Sequence, residues 1–197
     1  MKTKPQTLNF RDIGKDVIIW PLSKIINPEV ISIGNSVIID DFVLFMGGKK
    51  SSIGDFVHIG SHTTIAGGGE FIMDDFSGLS GGVRIYTGNE DYLGGSLTNP
   101  TIPDPFRNIT RSFVHIKKHA IVGANVVILP GVIIGEGVAI GANSLITKDC
   151  EPWTIYVGSP AKPIRSRPHQ KILTLERKLR SEVFDQNGNY LSKASRK

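Results

Sequence analysis

An aliphatic side chain returns at every sixth residue between Ile116 and Ile146, and no amphipathic helix can bury that pattern. The positions are Ile116, Val122, Ile128, Ile134, Ile140 and Ile146. Four places after each comes a small or β-branched side chain: Ala120, Val126, Val132, Val138, Ser144 and Cys150. At about 100° per residue, a six-residue step turns successive aliphatics roughly 240° apart around a helix.

A three-sided coil satisfies the period. Each unit supplies a short strand and a turn, three units bring the chain back to its starting face, and the next coil stacks about 4.8 Å away by strand pairing. The aliphatics then line one continuous, narrow core. Gly, Asn and Asp suit the corners, where positive φ or local side-chain bonding is needed. Cys150 falls in an inward slot, which makes it a packing residue. Upstream, Ile33, Ile39, Phe45, Ile53, Ile59, Ile65, Ile72, Leu79 and Ile85 continue the ladder, with extra residues near Gly47–Lys50 and between Ile65 and Leu79. These nine units and the six later ones make about five coils. The expected fold is all-β: a left-handed parallel β-helix with a long inserted loop and a C-terminal α-helix.

The organisation follows from where the ladder stops. Residues 1–30 form an N-terminal cap or first coil, and 31–158 form the β-helix. The β-helix is interrupted by a loop over 88–111 that carries acids, aromatics and three prolines. A loop this long inside a compact domain is usually functional. Residues 159–197 hold a turn-rich exit (GSPAKPIR), a helix over 169–184 and a mobile basic tail. That helix sets Ile172, Leu175, Leu179 and Val183 on one face, to pack on the coils or on a neighbouring subunit.

Charge and targeting signals narrow the classes. The net charge of +5 is concentrated at one end, with +6 over residues 148–197 and −1 over the rest. No nucleic-acid motif accompanies it, so the excess suits a solvated tail and a few cations beside ligand phosphates better than a nucleic acid. No apolar run approaches the roughly 20 residues of a membrane span. The opening MKTKPQTLNF lacks the apolar stretch of a secretory leader. A cytoplasmic protein is expected, and the single cysteine agrees with a reducing compartment.

The ladder, the extended loop and the GSPAKPIR exit together resemble the hexapeptide-repeat acyltransferases, over residues 26–167. That family includes galactoside, maltose and chloramphenicol acetyltransferases. The stretch MDDFSGLSGGVRIYTGNEDYLGGSLTNPTIPDPFRN is similar to the branch that modifies sugars for surface polysaccharides and O-antigen. Within that branch it most resembles N-acyltransferases of nucleotide-linked 4-amino-deoxysugars, of the anthrose type. The resemblance implies a homotrimer, with acetyl-CoA or another acyl-CoA bound between subunits and no metal. It implies that Gly123, Ala124, Gly141 and Ala142 flank the pantetheine arm. These two Gly-Ala pairs stand 18 residues apart, hence one above the other, and small residues let an extended ligand approach the backbone. The same resemblance sets Thr147 and Lys148 near the nucleotide end, and Ala161, Lys162 and Arg165 by the adenine and 3′-phosphate. A lysine suits a phosphate as a point charge.

Acyl transfer needs an acceptor nucleophile, a destination for its proton and donors for the oxyanion. The galactoside and chloramphenicol branches use a loop histidine to deprotonate a hydroxyl. This chain has no histidine between residues 63 and 114, and its loop begins Thr87, Gly88, Asn89, Glu90, Asp91. A sugar amine is partly neutral near pH 7 and needs only orientation, so the acid pair suits an amine acceptor. By likeness to the amino-sugar branch, Glu90 would hold or deprotonate the amine, with Ser80 alongside. Asp91 is a second acid, Asn89 a hydrogen-bonding partner, and His62, at a corner, the rival base for sugar O-acetylation. Each has a plainer reading as a solvated loop carboxylate or a corner residue. His58 is expected at a packed or solvated edge, and His115 and His119, flanking the re-entry of the ladder, at the surface. A zinc-dependent carbonic anhydrase on the same fold would need three converging imidazoles, and the spacings of His58–His62 and His115–His119 put partners on different edges. A non-catalytic β-helix scaffold is the third class. Thioester consumption, bound zinc, or neither would separate them.

Overall fold

The structure, a computed structural model, describes residues 8–195. Residues 1–7, where the opening stretch was expected to lack a leader, lie outside the described residues, as do 196 and 197. The chain winds as a left-handed parallel β-helix with three faces. Six complete coils stack along one axis: residues 12–26, 31–46, 50–66, 70–86, 113–128 and 132–146. A partial seventh enters an antiparallel hairpin, Thr154–Gly158 with Ala161–Ser166. The expectation of about five coils was low, because residues 12–26 already pair in parallel with the second coil and complete a turn of their own.

Registers across coils explain a second correction. On the first face Ile33, Ile53, Met73, Ile116 and Ile134 pair in succession. Met73 and Phe71 are therefore the inward residues of the fourth coil, each 1% exposed, and Ile72 points outward. The cause is coil length. Later coils repeat every 18 residues, as from Ile116 to Ile134, whereas the earlier ones repeat every 20, as from Ile33 to Ile53. The surplus sits at the corner after the third face, where Gly47–Lys49 and Gly67–Gly69 turn the chain. A Cβ on Gly48 would lie 2.2 Å from the Gly69 carbonyl oxygen, and one on Gly69 would lie 2.0 Å from that of Ser112. Only glycine permits backbones to pass so close.

The corner between the first and second faces departs most from expectation. Its third residue is left-handed in every complete coil, at Asp16, Ser36, Phe56, Phe76, His119 and Gly137. Aromatic residues accept this strained φ, which costs about 1–2 kcal/mol, and their rings stack. Phe56 lies 4.9 Å from Phe76, Phe76 lies 5.3 Å from His119, and Trp153 covers Gly137 and reaches His169 at 4.8 Å. A side-chain ladder runs beside the rings. Asp55 accepts the backbone N–H of Asn35 at 2.6 Å, and Asp75 accepts that of Asp55 at 2.8 Å.

Helix α1 (Gln170–Val183) docks on this corner, using polar groups more than the expected apolar stripe. Val183 is buried, but Leu175 is 55% exposed. Buried Glu176 instead takes hydrogen bonds from His119 and Arg180, both at 2.7 Å, and pairs with Lys118. Arg180 also reaches Asp75 and lies over the Phe76 ring. His119, expected at a surface edge, is thus buried beneath α1. Burial alone would raise the Glu176 pKa, but hydrogen bonds from Lys118, Arg180 and His119 outweigh it and hold the carboxyl down at about 2. The segment after α1, expected to be a mobile tail, folds back over the coils. Tyr190 is buried against Phe56 and Phe184, and Asp16 accepts from both the Tyr190 hydroxyl and the Lys193 N–H. Among the described residues no helix is long and apolar enough to cross a membrane.

Candidate active site

The fourth coil is where the candidate chemistry gathers. Ser80 stands at the corner between the second and third faces, within a column whose members are bonded vertically. The N–H of Gly60 donates to the carbonyl of Leu79, that of Ser80 to Val122, that of Gly123 to Ile140, and that of Gly141 to Tyr156. Ser80 therefore lies directly beneath Gly123 and Gly141. The expected stacking of the two Gly-Ala pairs is present, since a Cβ on Gly123 would meet the backbone of Ala142 at 2.7 Å. His62 occupies the same corner one coil lower. It is exposed, its ring stacks on Phe42 at 5.0 Å, and its carbonyl accepts from Arg84 at 2.7 Å.

The long loop is an ordered arm at the corner after the third face. Its base is a two-stranded antiparallel ladder, Gly88–Asn89 with Thr110–Arg111. Beyond the base, Glu90 pairs with Arg107 through both guanidinium nitrogens of one edge, and Arg107 is 9% exposed. A carboxylate held this way keeps its remaining lone pairs for an incoming donor. Asp91 is engaged differently. It accepts from the Leu93 N–H at 2.8 Å and the Ser96 hydroxyl at 3.3 Å, and the hydrogen bond from Leu93, foremost, holds its pKa below the usual carboxylate value. Asp91 staples the arm's turn. Asn89 is exposed in the base ladder. The tip presents Tyr92, Leu93, Leu97 and Phe106 to solvent.

Ser80 and Glu90 do not meet within one chain. They flank the third-face strand Arg84–Tyr86, so a run of about seven extended residues, roughly 20 Å, separates their corners. The donor residues divide in the same way. Thr147, Lys148, Ala161 and Lys162 line a cavity of about 240 Å³ together with Asp149 and Tyr156. Thr147–Cys150 contribute the corner after the third face, two coils above the arm, and Tyr156 with Pro160–Lys162 contribute the exit hairpin, whereas the Gly-Ala pairs occupy the other edge of the third face. Arg165 lies exposed on the exit hairpin opposite Ile155.

Arg107 was not singled out from the sequence, because its role appears only once the loop is seen to fold as an arm that returns residue 107 to residue 90. Among the described residues no three His, Cys, Asp or Glu side chains converge as a metal cluster. His58 pairs with Asp40 and His115 with Asp74, each at 3.0 Å.

A three-faced β-helix with a glycine-alanine edge, a crevice lined by two lysines and an acid-bearing arm suits a transferase that works on an extended donor. Residues 113–148 match the family model of the bacterial transferase hexapeptide (six repeats). The dTDP-4-amino-4,6-dideoxy-D-glucose acyltransferase of Escherichia coli is 39% identical over 181 residues, covering 91% of this chain and 94% of that relative. AntD, an N-acyltransferase from Bacillus cereus solved with dTDP and 3-hydroxybutyryl-CoA, superposes with a TM-score of 0.81 at 42% identity, covering 86% of this chain and 89% of AntD. A variant of AntD solved with dTDP-4-amino-4,6-dideoxyglucose and coenzyme A gives 0.80 at 41% identity, covering 86% and 90%. The chain belongs to the hexapeptide-repeat acyltransferases.

Proposed function

We propose that this protein transfers an acyl group from an acyl-CoA to the amine of a dTDP-linked amino-deoxysugar. The observation that carries the reading is the near full-length match to an acyltransferase of dTDP-4-amino-4,6-dideoxy-D-glucose. The arm supports it, since it offers an oriented carboxylate and no imidazole where a hydroxyl acceptor would need a strong base. The amine nitrogen bonds to the thioester carbonyl carbon, the C–S bond breaks, and the proton the amine loses passes to the departing sulfur, so that coenzyme A leaves as a thiol. Glu90, fixed by Arg107, accepts a hydrogen bond from the amine and turns its lone pair toward the carbonyl carbon. Ser80 donates to the acceptor or to the developing oxyanion. The AntD variants solved include substitutions at a serine and at an aspartate ten positions further on, the separation between Ser80 and Glu90. That spacing supports these two as the working pair, and it ranks Asp91, Asn89 and His62 behind them.

A homotrimer accounts for the split site. Side-by-side packing of three prisms brings the Ser80, Gly123–Ala124 and Gly141–Ala142 edge of one subunit against the arm and the Thr147–Lys148 crevice of the next. Lys148, Lys162 and Arg165 then hold the donor's phosphates. Product destined for surface polysaccharide such as O-antigen, made in the cytoplasm, completes the reading. The test is free-thiol release with dTDP-4-amino-4,6-dideoxyglucose and its 4-hydroxy counterpart as acceptors. Turnover is expected with the amine and not with the alcohol, and Glu90→Gln is expected to lower kcat roughly 100-fold. Preference for the alcohol refutes the acceptor class, and unchanged kcat in Glu90→Gln refutes the residue.

A further inference from the structure

The donor residues all lie at or above the fifth coil, so the acceptor must approach the arm from the other side. A cavity of about 760 Å³ lies there, at the corner after the third face. Its floor is Asn27 and Gly47, its wall Lys49, Gly68–Gly69 and Glu70, and its roof Arg111, at the base of the arm. From the corner after the first coil to that base it spans about three coil spacings, roughly 14 Å.

We infer that this cavity binds the diphosphate of the nucleotide-linked acceptor, with Arg111 and Lys49 as its cations. The close backbone approaches already explain Gly48 and Gly69, but nothing in the packing explains Arg111. Its side chain lies over Gly68, where a Cβ would come within 2.9 Å of Nε, and among the described residues no carboxylate pairs with it. A guanidinium free to bond with two nitrogens suits a phosphate. Lys49 pairs with Glu70 at 3.4 Å, but this lysine side chain is 78% exposed and free to turn to a stronger anion. Arg111 faces Gly88 across the arm's base ladder, and Glu90 lies two residues further, roughly 7 Å along the strand. A sugar attached to a diphosphate held at Arg111 therefore extends toward Glu90, while the donor descends to it from the crevice above.

This inference rests on the proposed acceptor class, and the experiment separates the two. Binding of dTDP and of coenzyme A is measured calorimetrically for the wild type, Lys49→Met and Arg111→Met. Methionine keeps the aliphatic packing over Gly68 and removes the charge. Roughly ten- to hundredfold weaker dTDP binding is expected for Arg111→Met. A smaller loss is expected for Lys49→Met, with a matching rise in KM for the sugar nucleotide and unchanged coenzyme A affinity in both variants. Unchanged dTDP affinity in both, with a wild type that binds dTDP, overturns the site and leaves the function standing. A wild type that ignores dTDP overturns both. Lys49→Met, at an exposed side chain, keeps the test valid should Arg111→Met fold poorly.

Discussion

Glu176→Gln should undock helix α1 from the coils near neutral pH and do so by a definite amount. Glu176 is buried among Lys118, His119 and Arg180, and its pKa falls from 4.5 to about 2. At about 1.36 kcal/mol per unit, that difference corresponds to roughly 3 kcal/mol favouring the docked state. The figure agrees with the lower end of what breaking a buried ion pair costs, about 3–5 kcal/mol. The lower end is expected because Asp75 stays beside Arg180 at 2.5 Å and leaves that cation partly compensated. The sign is fixed by the direction of the shift. A depressed carboxyl stabilises the fold above its unfolded pKa, and the contribution disappears as pH falls from about 4.5 through about 2. Trp153 lies 6.0 Å from His119 and 4.8 Å from His169, so its fluorescence reports this corner, and Trp20→Phe removes the other indole. Urea unfolding in that background should show Glu176→Gln about 3 kcal/mol less stable near pH 7, with the gap closing toward about pH 2. Equal midpoints near pH 7, or a gap that persists undiminished in acid, would refute the assignment of Glu176 as the lock.

Register offers a sharper structural test, since Met73 is 1% exposed and Ile72 faces outward. Met73→Ala should cost about 2–5 kcal/mol in urea melts and Ile72→Ala less than about 1; the reverse order would restore Ile72 to the core. Arg107 acts through Glu90, so Arg107→Met should lower kcat at least about tenfold while leaving KM for the acyl-CoA unchanged. Arg107→Lys, which keeps the charge, should recover part of that loss, and a change in donor KM alone would assign Arg107 elsewhere.

The sequence is most legible where physics asks least of it. Between Ile116 and Cys150 each inward position needs only an apolar or small side chain, and nothing interrupts the count, so period and phase are both visible. The earlier coils obey the same rule, but their corners carry two more residues. After the second and third coils those residues include glycines that turn the chain without leaving a hydrophobic mark, which is why Ile72 stood in for Met73; after residues 12–26 the turn is Asn27–Val30, and that coil merged into a cap. Helix α1 eluded its apolar pattern for a related reason. The contact that docks it is a carboxylate among a lysine, an arginine and a histidine, and no hydropathy scale counts Glu176 as a core residue. The site divides along the same line. Likeness to the amino-sugar branch marks Glu90 and Ser80 as candidates, but Arg107 and Arg111 gain meaning only from the ladder at the arm's base, which returns residues 107–111 to residues 88–90. That ladder also fixes the order along the corner. The cavity holding Lys49, Glu70 and Arg111 lies below the arm and the crevice holding Lys148, Asp149 and Lys162 lies above it, so in the proposed reaction the two anionic substrates would reach Glu90 from opposite ends without competing for the same cations.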